Sequence, residues 1–248
     1  MSQKNHQKVV LITGAAKRIG ACIADHFHQN GFRIIVHYRH SKKAAETLVK
    51  KCNQRRKNSA VALYADLDAF SDYKKLIHDS IQVWKRLDIL INNASTFFQT
   101  PIGDVNEAEW KLLINSNLKA PFFLSQYAAS FLKKQNGCII NIVDIHAKTP
   151  MKNYPIYSAA KAGLFMLTQS LALELAPHIR VNAIAPGHVI WPINQKAFSK
   201  SEKKAIESSI LLKKNVRPDD IAAGALFLAT QPAITGQMIA VDGGRTPK

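Results

Sequence analysis

Tyr157 and Lys161 stand four residues apart in the run Tyr-Ser-Ala-Ala-Lys, a spacing that puts both side chains on one face of a helix. A free phenol has a pKa of about 10 and gives up its proton too reluctantly for efficient transfer at neutral pH. A neighbouring ammonium favours the phenolate and lowers that value, so the pair reads as a proton donor for general acid catalysis. Tyr-x3-Lys arises by chance in many helices, and its weight here comes from what precedes it. Asp144 lies 13 residues upstream, at the end of the strand-like run Cys138 to Val143. A carboxylate is a poor partner for a carbonyl oxygen, because both are acceptors unless the acid is protonated. It suits ring N–H and amino groups instead.

A second group of residues lies near the start of the chain. The apolar run Lys8 to Thr13 reads as a buried strand and leads into Thr13-Gly14-Ala15-Ala16-Lys17-Arg18-Ile19-Gly20. A helix follows, from about Arg18 to Asn30. At such a junction, backbone N–H groups and the helix dipole can hold a pyrophosphate. Gly14 allows a tight turn, and Gly20 allows the helix to pack closely on the sheet. Arg18 is a cation at a helix N-terminus, where it needs an anion. A cofactor phosphate supplies one, and the guanidinium could also donate to a substrate carbonyl; a plain surface arginine is the alternative. The second strand ends His37-Tyr38-Arg39-His40-Ser41-Lys42, without the Asp or Glu that an NAD site uses on the ribose hydroxyls. Arg39, His40 and Ser41 offer charge and donors for a 2′-phosphate, so NADPH is the expected cofactor. Asp66, after the third strand, either meets the adenine or caps the next helix.

These residues need a frame. Strand-like runs fall at Lys8–Thr13, Phe32–Tyr38, Ala60–Tyr64, Leu87–Asn92, Cys138–Val143, Ile179–Ile184 and Gln237–Val241. Helical stretches separate them: from Ser41 to about Lys57, from Asp68 or Ser71 to about Lys85, Asn106–Lys134, Pro155–Ala176 and Pro218–Thr230. This alternation predicts an α/β fold, a Rossmann-type doubly wound parallel sheet of seven strands with helices on both faces. The 248 residues suit a single domain of this kind. Ligands in such sheets bind at the carboxyl ends of the strands.

Composition sets outer bounds. Met1 to Lys8 is polar, so no signal peptide is expected, and there is no apolar run of about 18 residues to span a membrane. Cys22, Cys52 and Cys138 are odd in number and lack metal-ligand spacing, which suggests reduced thiols in a cytoplasmic protein and no metal. The net charge of +17 could mark nucleic-acid binding. However, its densest stretch, Lys50 to Lys57, has no interleaved aromatics. A solvated basic surface that attracts anionic ligands is the preferred reading, without nucleic acid as a partner.

Gly14-x3-Arg18-x-Gly20, Asn92-Asn93-Ala94 and Tyr157-x3-Lys161 together resemble the short-chain dehydrogenase/reductase family. Arg18 stands where that family has a middle glycine, and Asp144 where it has a serine for the substrate carbonyl. These two, with Asn93 to Pro101 (NASTFFQTP), resemble its pteridine reductase branch, and the likeness runs from Lys8 to Gly244. It implies hydride transfer from NADPH to a pterin or folate ring carbon. Tyr157 would protonate a ring nitrogen of an oxidised pterin, and Asp144, through water, would assist with a 7,8-dihydropterin. Asn117 would help hold a relay water near Lys161, or is simply a satisfied helix asparagine. Cofactor contacts are implied for Gly14, Lys17, Arg18, Ile19 and Gly20; for Tyr38, Arg39, His40 and Ser41; for Asp66 and Leu67; for Asn93, which would also support the central strands, with Ala94 and Ser95; and for Tyr157, Lys161, Pro186 and Gly187. Arg18 and Ser95 would also seat the substrate, and Phe97 would stack on it unless Phe97 and Phe98 belong to the core. Trp191 walls the pocket or packs, and His188 has no assigned role. A homotetramer follows by family analogy. Two rivals remain: a general carbonyl or 3-oxoacyl-thioester reductase, and a basic binding protein that keeps the nucleotide fold without catalysis.

Overall fold

A computed structural model describes residues 7–189 and 199–246. Seven strands form one sheet: β1 (Val9–Ile12), β2 (Arg33–Tyr38), β3 (Ala60–Tyr64), β4 (Ile89–Asn92), β5 (Cys138–Ile142), β6 (Arg180–Pro186) and β7 (Met238–Val241). Their order is β3-β2-β1-β4-β5-β6-β7, and every neighbouring pair is parallel. The chain runs outward from β1 to β3, then returns to β4 on the other side of β1. That reversal opens a crevice beyond the carboxyl ends of β1 and β4, where a doubly wound sheet binds its ligand.

The strands at the centre explain their own burial. β1 is Val-Val-Leu-Ile with all four residues buried. Val10 and Ile12 face one layer, with α1 (Arg18–Gln29), α2 (Lys42–Arg55) and α8 (Pro218–Thr230). Val9 and Leu11 face the other, with α3 (Phe70–Trp84), α5 (Ala120–Lys133) and α6 (Pro155–Leu175). A strand covered on both faces needs an unbroken apolar run rather than alternation.

Some local details differ from the sequence reading. The expected helix from Asn106 to Lys134 is α4 (Glu107–Ile114), a π-helical turn (Asn115–Lys119) and α5. The helix expected to open at Asp68 or Ser71 is α3, which begins at Phe70, between the two, without a side-chain cap. The Asp68 carboxylate is drawn away to Arg39, 2.6 Å distant. Ser41 does occupy the position before α2, but its side chain makes no capping bond. A further helix, α7 (Lys200–Ser209), is capped by Ser199 and Glu202 in a reciprocal box.

Part of the basic stretch is structural. Lys51 and Arg55 both pair with Asp25, and Arg56 donates to the Phe32 carbonyl. Among the described residues no helix is long and apolar enough to cross a membrane, and no cluster could hold a metal ion. The three cysteines are free thiols, and burial pushes Cys22 up to about 12 and Cys138 up to about 11.

Candidate active site

A cleft of about 690 Å³ lies at the carboxyl ends of the strands. The turn after β1 forms one wall. Gly14 has φ +62°, and a Cβ there would lie 2.9 Å from Ala94 Cα. A Cβ on Gly20 would lie 2.5 Å from both Asn93 Nδ2 and the Gly14 oxygen. Both glycines are therefore required by close approach. Asn93 holds the turn in place: Nδ2 donates to the Thr13 and Gly14 oxygens at 2.8 and 3.2 Å. Arg18 also adopts φ +55°, a left-handed conformation that is strained for a side chain with a Cβ. The middle glycine of the dinucleotide fingerprint would carry no such strain.

A residue missed in the sequence supports this turn from below. His37, on β2, is buried; its Nδ1 accepts from Gly14 N–H at 3.0 Å, and its Nε2 lies 3.1 Å from the Ala65 oxygen. The ring therefore carries its proton on Nε2 and is neutral. Burial pulls its pKa down to about 4. Its sequence signal was slight: a polar residue directly after the apolar run Ile34 to Val36.

At the far end of β2, Arg39 and His40 line the cleft. Arg39 is pinned by two carboxylates brought over from the end of β3, Asp66 at 2.9 Å and Asp68 at 2.6 Å. Leu67 between them lines the cleft, whereas Asp66, Tyr38 and Ser41 do not. Tyr38 packs edge-on against Tyr64. Of the first turn, Gly14, Lys17, Arg18, Ile19 and Gly20 all line the cleft. So do Asn93, Ala94, Ser95, Pro186 and Gly187. A helix start of close-packed glycine backbone, with Lys17 and Arg18 beside it on the cleft wall, fits a dinucleotide cofactor.

The proton-handling group comes next. Tyr157 and Lys161 lie on consecutive turns of α6, both buried. Tyr157 Oη donates to Asp144 Oδ2 at 2.8 Å, and His146 N–H donates to Asp144 Oδ1 at 2.8 Å. Lys161 Nζ donates to the Ile142 oxygen at 2.9 Å and lies 5.7 Å from the centre of the Tyr157 ring. Burial, with the Asp144 carboxylate beside it, holds the Tyr157 phenol well above its ordinary value. This reverses the lowering expected from the lysine, first because the phenol is buried and then because the nearer charge is the negative one. Burial in turn pulls Lys161 down to about 8. Beneath this group Asn92 donates to Asn141 and Asn141 to Thr168, a buried ladder that ties β4, β5 and α6 together.

Asn117 lies within the π turn, and its amide is committed: Nδ2 donates to the Thr96 and Leu113 oxygens, and Oδ1 accepts from Ser95 Oγ at 2.7 Å. It does not line the cleft; its neighbour Ser116 does. Phe97 lines the cleft and also packs: it stacks on Tyr154 at 4.6 Å and meets Tyr157 edge-on at 4.9 Å. Phe98 belongs to the packed cluster. His146, Met151, Ile206 and Arg245 line the cleft and were not singled out from sequence. They come from short turns and from α7, where no periodicity marks a wall. Trp191 lies outside the described residues. His188 lines the cleft, with its pKa lowered to about 4 by burial and by the charges of Arg245 and Lys203.

Comparison with known proteins agrees with this geometry. The family described as Enoyl-(Acyl carrier protein) reductase matches residues 14–246. Pteridine reductase 1 of Leishmania tarentolae is 35% identical, with 95% of each chain aligned. The 3beta-hydroxysteroid dehydrogenase 1 of Eggerthella lenta is also 35% identical, over 96% of this chain and 94% of its own. An uncharacterized oxidoreductase of Methylorubrum extorquens is 33% identical, over 96% and 97%.

Proposed function

The chain belongs to the short-chain dehydrogenase/reductase family of oxidoreductases, and from that premise we propose that it is an NADPH-dependent pteridine reductase. The observation that carries this reading is the 2.8 Å hydrogen bond from Tyr157 to Asp144. A carbonyl reductase needs donors around the substrate oxygen. Here the group beside the tyrosine is an acceptor, which suits the amino and N–H groups of a pterin.

NADPH, when bound, supplies the hydride. Asp144 orients the ring by accepting from its nitrogen donors, and Phe97, held by Tyr154, offers a face for stacking. Tyr157 keeps its proton until a ring nitrogen becomes more basic than the phenolate left behind. Lys161, titrating around pH 8, stabilises that phenolate and can restore its proton. For a 7,8-dihydropterin, Asp144 passes the proton through water. Arg18 and Ser95 would contact the cofactor phosphates and help seat the substrate. Asn117 fixes Ser95 through its Oδ1, and with its amide so committed it is not left to hold a relay water near Lys161.

NADPH is supported by Arg39 and His40 at the adenosine end. A 2′-phosphate there shares Arg39 with Asp66 and Asp68. A homotetramer is in keeping with exposed apolar side chains on α4 to α6, among them Trp110, Phe122, Met166 and Leu173.

Asp144→Ser tests the assignment. It should lower kcat/KM for a dihydropterin by roughly 100-fold, the scale of losing a positioned acid–base group. Equal activity in this variant would sink the reading.

A further inference from the structure

The substrate end of the cleft is closed by a turn that no role above uses. After β7, Asp242 Oδ1 accepts from Gly244 N–H at 2.8 Å, and Oδ2 accepts from the backbone and hydroxyl of Thr246. Gly243 and Gly244 have φ +66° and +82°. A Cβ on Gly243 would lie 2.7 Å from Ile210 Cγ2, and one on Gly244 3.0 Å from Leu211 Cβ. Leu212 N–H donates to the Gly243 oxygen at 3.0 Å. On the other side, a Cβ on Gly187 would lie 2.7 Å from Asp242 Cα. The turn is thus fixed from both flanks, and its next residue is Arg245.

Arg245 is half-buried and lines the same cleft as Asp144 and Tyr157. It forms no ion pair among the described residues. The Asp144 and Asp242 carboxylates act on its charge, which in turn acts on His188, and His188 also feels Lys203 of α7. Burial lowers the pKa of the guanidinium. Both carboxylates favour the charged guanidinium, yet neither forms an ion pair with it, and a partly desolvated guanidinium gains from an anion that completes it.

We infer that Arg245, with Lys203 nearby, forms a subsite for a carboxylate-bearing tail on the substrate, so that the cleft favours folates over pterins with neutral side chains. This rests on the pteridine reductase reading and names the substrate class within it. A guanidinium pairs with a carboxylate through two parallel hydrogen bonds, which a neutral side chain cannot replace. The chain's net charge of +17 acts in the same direction, steering a multiply anionic substrate toward the cleft.

The test compares kcat/KM for dihydrofolate and dihydrobiopterin in the wild type, Arg245→Gln and Arg245→Lys, all with NADPH. The ratio of dihydrofolate to dihydrobiopterin efficiency should fall about tenfold in Arg245→Gln, the scale of one charge-assisted hydrogen bond, and recover in part in Arg245→Lys. An unchanged ratio in a wild type that reduces both substrates overturns the subsite and leaves the pteridine reading intact. A wild type that reduces neither overturns both.

Discussion

The two ends of the cleft are built in different ways. The cofactor end rests on backbone: two glycines that admit no Cβ, an asparagine tying β4 to the turn after β1, and a neutral histidine beneath it. The substrate end rests on side chains presented by turns: Asp144, His146, Phe97 and Arg245. Where backbone makes the contact, few residue types are tolerated and the pattern can be read in one dimension. Where a turn presents a side chain, its direction depends on contacts far away in sequence.

Tyr157→Phe separates the ends most sharply. It should cut turnover by roughly 10² to 10⁴, the range for a positioned proton donor, while NADPH binding by fluorescence titration stays near that of the wild type. Loss of NADPH binding in parallel would mean the two ends are not separable.

His37 probes the cofactor end through pH. In the unfolded chain its ring takes up a proton at about pH 6.5; in the folded chain it does so only at about 4. Between these values the unfolded state binds more protons, so stability rises with pH and is lost as pH falls from 6.5 toward 4. The expected contribution is on the order of 3 kcal/mol. The difference in unfolding free energy between pH 7 and pH 4 should shrink by that amount in His37→Asn. An unchanged difference would show that the ring is not held neutral.

Arg39→Asp has the smallest expected effect. It should move the ratio of kcat/KM for NADPH to that for NADH about tenfold toward NADH. An unchanged ratio places the phosphate site elsewhere. Asp66 and Asp68 make this informative, since they already offset part of the Arg39 charge.

The same contrast explains what could be read from the residues alone. All seven strands were legible, because each is a short apolar run bounded by turn or helix signals. Gly14, Gly20, Asn93, Tyr157 and Lys161 were legible because their spacing is fixed by the strand–turn–helix geometry. The π turn around Asn117 was not, since its sequence carries an ordinary helical pattern. The pairing of Arg39 with Asp66 and Asp68 joins the ends of β2 and β3, and only the register of those strands brings it about. Arg245 follows a glycine pair whose left-handed turns aim it back at the cleft, and that aim depends on Ile210 and Leu211. The raised pKa of Tyr157 was not legible for a related reason: the lysine four residues away was visible, but neither the burial of the phenol nor the close approach of Asp144 was.

The central claim is that a carboxyl beside the proton donor selects a nitrogen ring over a carbonyl. Its most direct test is the rate of NADPH oxidation by the purified protein with dihydrobiopterin, dihydrofolate, simple ketones and a 3-oxoacyl thioester. Turnover of the pterin or folate substrates well above the ketones and thioester is the predicted result. Turnover of ketones or thioesters alone would contradict the account.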